Sequence, residues 1–136
     1  MPNNNFRFDV RVYYEDTDSG GIVYYANYLK FAERARTEVL RSAGINQTDL
    51  LASDSVAFAV RKCHIDFHKP ARLDDLLTIH TKLEEIGNAS LVMQQTIMKE
   101  QTVLVSMTVK LAVIGPDMKP AKLPAHVREG FAQHVE

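Results

Sequence analysis

Two hydrophobic periods follow one another along this chain, and their order restricts the fold more than any other feature. From about Tyr25 to Ala43, Tyr28, Ala32, Ala35, Val39 and Ala43 lie along one stripe of a helical repeat. That spacing predicts an amphipathic helix of about five turns, with Lys30, Glu33, Arg34, Arg36 and Arg41 mostly turned away from the stripe. Gly44 stands just past it, where the left-handed conformation common at helix ends favours glycine.

After Val56 the period drops to two. Val56 to Val60 and Cys63 to Phe67 both alternate, but the apolar parity switches between them, which predicts a bulge or bend near Arg61 and Lys62. Leu77, Ile79, Thr81 and Leu83 form one further strand, and Leu91, Met93, Gln95 and Ile97 form the next, after the Gly87-Asn88 turn. Val103 to Val113 is the longest alternating run, and Gly115-Pro116-Asp117 ends the sheet. A short helix is expected from Pro124 to near Gln133, since proline is tolerated at a first helical position. Upstream of the long helix, Phe6, Phe8, Val10, Val12 and Tyr14 share one side of a half-buried strand, and Glu15 to Gly21 make a tight loop.

Strands joined by short turns favour an antiparallel sheet. With one main helix to cover it, a sheet of five or six strands curls around that helix, an α+β architecture in one domain over residues 1–136. Leu104, Ala112, Met98 and Val92 fall on the face opposite the helix, so association with a second copy is expected to cover them.

Composition narrows the setting. Cys63 is the only cysteine, so no intrachain disulfide forms and a reducing compartment suits the chain. The start Met-Pro-Asn-Asn-Asn is too polar for a secretory signal, and no apolar run approaches the ~20 residues of a membrane span. A cytoplasmic location with no integral membrane segment is the expectation. With 16 basic and 17 acidic residues the chain lacks the broad positive field of a nucleic-acid binder.

Chemistry concentrates between Val12 and Tyr28, V-Y-Y-E-D-T-D-S-G-G-I-V-Y-Y-A-N-Y, where a carboxylate sits in a glycine-rich turn just before the helix. A helix N-terminus presents unpaired amides and partial positive charge, suited to a developing oxyanion. A thioester needs that polarisation plus a nucleophile or a base that activates water, and Asp18 suits either role. Gly20 and Gly21 let a substrate approach the backbone. Read by itself, Asp beside Gly before a helix most often makes a turn or a cap.

Three blocks tip that balance. Asp18, Gly21-Ile22-Val23, Tyr25 and Asn27-Tyr28 resemble the signature of the 4-hydroxybenzoyl-CoA thioesterase family of hot-dog proteins. Val10 to Asp18, Glu33-Arg34-Ala35-Arg36-Thr37-Glu38 and Pro70-Ala71-Arg72-Leu73-Asp74-Asp75 look like the branch of acyl-CoA thioesterases encoded beside the Tol-Pal envelope system. The resemblance implies a hot-dog fold and hydrolysis of acyl-CoA with no metal or cofactor. It puts the catalytic aspartate at Asp18, the carbonyl-binding amide at Tyr25, and substrate contacts at Gly21, Val23 and Ser90. It further implies a homodimer or homotetramer with active sites at subunit interfaces.

The chain departs from that pattern twice. Many members of the Tol-Pal branch are similar to one another in having histidine where this chain has Tyr25, and the 4-hydroxybenzoyl-CoA enzymes resemble Tyr25 but carry a basic cluster where Gly87-Asn88-Ala89 stand here. The histidine-assisted step and that grip on CoA phosphates therefore do not carry over.

Rival readings are weaker. Asp16-Thr17-Asp18 lacks the later ligands of a calcium loop, and Asp16 suits local hydrogen bonding. Glu33 is expected on an exposed ion-paired face with Arg34 and Arg36. His64, His68 and His80 read as scattered surface residues without three-ligand spacing. No histidine lies in the loop-to-helix segment, which sets a dehydratase behind a thioesterase. Arg61, Lys62, Lys69 and Arg72 are candidates for CoA phosphates, and Met93, Met98 and Met107 for packing. The competing class is a non-catalytic protein that binds acyl-CoA or acyl carrier protein and is linked to envelope or phospholipid metabolism.

Overall fold

A computed structural model describes residues 6–132. Five strands, β1 (Phe6–Arg11), β2 (Ala57–Phe67), β3 (Leu76–Ile86), β4 (Ser90–Lys99) and β5 (Thr102–Ile114), form one antiparallel sheet in the order β1-β3-β4-β5-β2. The helix α1 (Asn27–Ser42) lies against β1 and β3, followed by the shorter α2 (Gln47–Asp54) and, after the sheet, α3 (Ala125–Ala132). This is the α+β hot-dog fold, a curled sheet around one long helix.

Alternation decides which side of the sheet is inside. In β4 every second residue, Leu91, Met93, Gln95 and Ile97, is buried, and β5 buries Val105, Met107, Val109, Leu111 and Val113 in the same way. Against them α1 sets Tyr28, Phe31, Ala32, Ala35, Val39 and Leu40. Each large apolar side chain fully buried here contributes about 1.5–3 kcal/mol to holding helix and sheet together. The parity switch in β2 is a real irregularity, with the register against β5 shifting between Val60 and Lys62.

Several expectations are corrected. The first strand stops at Arg11, three residues before the predicted end. The Val12 amide still donates to Asp75 O at 2.9 Å, but the Tyr13 amide turns to Asp16 Oδ2 at 2.8 Å, closing a 3-10 turn that leaves Tyr14 83% exposed. The helix α2 was not expected. Its signal is Asn46, whose Oδ1 caps the Thr48 amide at 2.9 Å, but only Leu50 of that helix is buried, so no hydrophobic period marks it. Arg36 does not belong to an exposed ion-paired face: it is 8% exposed and turned inward. Leu104, expected on an apolar face awaiting a partner, is already buried at 3% exposure, and Ser106, Thr108, Lys110, Gln94, Thr96 and His80 make much of that face polar. The C-terminal helix begins just after Pro124, and the end expected near Gln133 lies outside the described residues. Among the described residues no helix is long and apolar enough to cross a membrane.

Candidate active site

The loop between β1 and α1 folds as a small hairpin because its polar residues bond to their own backbone. Thr17 and Val23 form an antiparallel bridge, the Asp18 amide donates to Ile22 O at 2.9 Å, and the Gly21 amide returns to Asp18 O at 3.0 Å. Asp18 Oδ1 accepts the Gly20 amide at 2.8 Å, which fixes its carboxylate at the first corner of the turn. Gly21 closes the turn with φ +78°, a conformation that side chains disfavour. The hairpin is anchored from below by the Val23 amide on Ala71 O at 2.9 Å and by a bridge between Ile22 and Arg72.

Asp16 serves the architecture. Its carbonyl accepts both the Tyr24 amide at 2.9 Å and Asn27 Nδ2 at 3.0 Å, while its carboxylate holds Tyr13. These bonds, with the Asn27 amide on Tyr24 O at 2.8 Å, set the direction in which α1 starts. Among the described residues, the amides of Tyr25 and Ala26 donate to no protein group. The first turn of α1 has neither a side-chain cap nor an acidic residue, so its partial positive charge is not quenched locally.

That helix start opens on a groove of about 290 Å³ lined by Ile22, Val23, Tyr25, Tyr28, Phe67, His68, Lys69 and Pro70. Size does not single it out, since a second depression farther along α1 measures about 260 Å³. Its walls do. Tyr25 and Phe67 meet edge to face at 6.1 Å, and Tyr28 lies 5.9 Å from Phe67. Tyr28 is buried, and its hydroxyl accepts the Ala71 amide at 2.9 Å. Burial raises the Tyr28 pKa, reinforced by the nearby Asp75 charge and opposed by the Ala71 hydrogen bond, so the phenol stays neutral. Tyr25 is 63% exposed in the single chain.

Of the residues singled out from the sequence as candidate site residues, Val23, Tyr25 and Lys69 line this groove. Asp18 and Gly21 sit in the hairpin tip, with Asp18 bonded to Ile22 of the groove wall. Ser90 is elsewhere. It stands level with Ala112 in β5 and so with Ala59 in β2, eight positions from Phe67, which is roughly 26 Å at the rise of a strand. Phe67, His68 and Pro70 were not recognised as part of the site. They lie more than forty residues from the hairpin, and the Ile22–Arg72 bridge with the Val23 amide on Ala71 O brings them to it. His68 Nε2 and Ser106 Oγ are 2.9 Å apart, and His64 pairs with Asp66 at 3.2 Å, so both histidines have local partners. Among the described residues no three histidine, cysteine or carboxylate side chains cluster as metal ligands.

A carboxylate turn whose backbone is bonded to the wall of a mostly apolar groove, with unengaged amides at the helix start, suits activation of a carbonyl, and the chain's relatives point the same way. Residues 20–106 match the model of the thioesterase superfamily, and the chain belongs to that family. Within it, the chain is 45% identical to acyl-CoA thioesterase YbgC of Haemophilus influenzae, over 96% of this chain and 97% of that one. It is 47% identical to acyl-CoA thioester hydrolase YbgC of Escherichia coli O157:H7, over 98% of this chain and 100% of that one. Among solved structures, a probable thioesterase from Bartonella henselae superposes with a TM-score of 0.83 at 43% identity, covering 88% of this chain and 99% of that one.

Proposed function

We propose that this chain hydrolyses acyl-CoA thioesters to the free acid and CoA. The observation that carries this reading is the unengaged amide of Tyr25 at the start of α1, a residue that lines a mostly apolar groove whose wall residue Ile22 accepts the Asp18 amide. The Tyr25 N–H donates to the thioester carbonyl oxygen, and the helix terminus stabilises the negative charge that gathers there as the carbonyl carbon becomes tetrahedral. Asp18 either attacks that carbon, expelling CoA thiolate and leaving an anhydride for water to open, or takes a proton from the attacking water. Gly21 and Val23 bring backbone close to the acyl group.

No cofactor takes part in this reading. A contact between Ser90 and the substrate requires a second copy, so a homodimer or homotetramer is part of the proposal. The edge strand β2, with Val60 and Phe67 about half exposed, offers an unpaired surface for it. A cytoplasmic enzyme of one domain, functionally tied to the Tol-Pal envelope system, completes the proposal.

The test is thiol release from short, long, branched and aromatic acyl-CoAs, and from acyl carrier protein thioesters, by wild type and Asp18→Asn in parallel. Activity in wild type that is lost in the variant is expected. Two equally silent proteins would overturn hydrolysis and favour an acyl-CoA or acyl-carrier-protein binding role.

A further inference from the structure

A second depression lies farther along the seam between α1 and β2. The start of α1 lies beside Phe67 at the end of β2, and the end of α1 lies beside Phe58 near its beginning, so helix and edge strand run side by side in opposite directions. Between the two ends, Ile65 and Cys63 stand opposite Met107 and Val109 in β5 and therefore face the helix. Around Tyr25 the lining is mostly apolar, Ile22, Val23, Tyr28, Phe67 and Pro70 with His68 and Lys69 beside them. At the far end it changes character: Glu33, Arg36, Thr37 and Gln47 join Leu40, Phe58, Val60 and Leu111 around the second depression.

Arg36 is the cationic part of that floor, and its guanidinium is hydrogen-bonded into the core. Its Nη1 donates to Gln95 Oε1 at 3.0 Å, and Gln95 is itself locked, its Nε2 donating to Ala32 O at 2.9 Å and to Thr81 Oγ1 at 3.0 Å. A guanidinium has five N–H donors. Among the described residues no buried side-chain nitrogen or oxygen lacks a partner, so the donors of Arg36 that no protein group accepts reach the water of the depression. An apolar chain end pushed against them would strip that water and supply no acceptor in return.

We propose that Arg36 is a specificity-determining residue that sets an upper limit on acyl-chain length, the acyl chain lying between α1 and β2 with its thioester at Tyr25. The inference rests on the thioesterase reading above. Eleven positions separate Tyr25 from Arg36, a span of about 16 Å along a helix. The guanidinium reaches back to Gln95 beside Ala32 O, so an extended alkyl chain advancing about 1.25 Å per carbon meets it after at most about a dozen carbons. Each methylene up to that point gains apolar contact, and the next ones meet the guanidinium.

The experiment is kcat/KM for a series of saturated acyl-CoAs from four to eighteen carbons, with wild type and Arg36→Met, an apolar side chain of similar length. Wild type is expected to lose at least tenfold between twelve and sixteen carbons, and Arg36→Met to raise the ratio of sixteen-carbon to twelve-carbon turnover at least tenfold. Should Arg36→Met fail to fold, as judged by circular dichroism, Arg36→Gln, which keeps a donor for Gln95 but shortens the side chain and removes its charge, decides the matter. It is expected to raise the ratio of sixteen-carbon to twelve-carbon turnover at least threefold. A wild-type profile without a break, or an unchanged ratio in the variant that folds, overturns the limit and leaves the thioesterase reading standing. Silence on every acyl-CoA overturns both.

Discussion

Arg36 reaches from the middle of α1 to Gln95 in β4, and the 3.0 Å hydrogen bond between them spans the boundary between helix and sheet inside an otherwise apolar core. Burial lowers the Arg36 pKa, while the Glu33 and Cys63 side chains act the other way, and the group remains a cation. Gln95 is 1% exposed and uses its oxygen and both amide hydrogens. Gln95→Leu removes the acceptor and is expected to cost about 2–4 kcal/mol in urea unfolding, because a buried cation is left short of a partner. Adding Arg36→Met should restore at least about 1 kcal/mol of that loss. Strictly additive costs would show that the two side chains do not support one another.

Asp18→Asn keeps an oxygen able to accept the Gly20 amide, so the hairpin should survive. Stability is expected to stay within about 0.5 kcal/mol of wild type, since the position is exposed. Thiol release should fall by about two to four orders of magnitude, the usual range for a lost general base or nucleophile. A variant as active as wild type removes Asp18 from the chemistry.

Gly21 presents a separable effect. At its φ of +78° a Cβ would meet nothing within 4 Å, so the penalty for a side chain is conformational alone. Gly21→Ala is expected to cost about 1 kcal/mol, with Gly21→Asn costing less and Gly21→Val more. Activity should fall in the same order, because the turn that strains is the one that holds Asp18. Equal melting midpoints for all three would mean the turn relaxes freely.

Tyr28→Phe removes the acceptor of the fully buried Ala71 amide. An unfilled buried donor costs about 1–3 kcal/mol. Since Ala71 O also holds Val23, the variant is expected to raise KM more than it lowers kcat, measured across the acyl series.

Asp75 links stability to pH. Burial pushes its pKa up, but the Lys99 ammonium at 2.9 Å, the Arg72 amide and the charges of both basic residues outweigh that and hold it below the ordinary carboxylate value. A depressed folded-state pKa means that the unfolded chain takes up protons first as pH falls. The stabilisation is therefore complete above the unfolded value near 3.9 and is lost as pH drops through the lower folded value. Lys99 is half exposed, so the pair is worth only about 1 kcal/mol. Asp75→Asn should show that deficit at pH 7 and match wild type near pH 2, by urea titration at both.

Much of the fold was legible in the sequence because its signals are local. A stripe such as Tyr28, Ala32, Ala35 and Val39 has to face a core wherever that core lies, and Leu91, Met93 and Ile97 fall on one side of any strand that contains them. The parity break at Arg61 and Lys62 and the turn at Asp18 were readable for the same reason: backbone geometry within a few residues determines them. Arg36 and Gln95 carried a signal of the same kind. Each is a polar residue standing inside an apolar period, between Ala32 and Leu40 in one case and between Met93 and Ile97 in the other.

What only the tertiary structure decided was which of these local pieces meet. Phe67, His68 and Lys69 come to Tyr25 through the bridge of Ile22 to Arg72 and the Val23 amide on Ala71 O, whereas strand register leaves Ser90 at the opposite end of the sheet from the groove. Arg36 and Gln95 found each other across 59 residues of chain. By itself the sequence determined the helix, the alternating strands and the carboxylate turn, since each follows from steric and hydrophobic preferences of neighbouring residues. Strand register and the packing of α1 on the sheet decided the rest. They depend on how all the buried faces fit together at once, and no short window of residues contains that information.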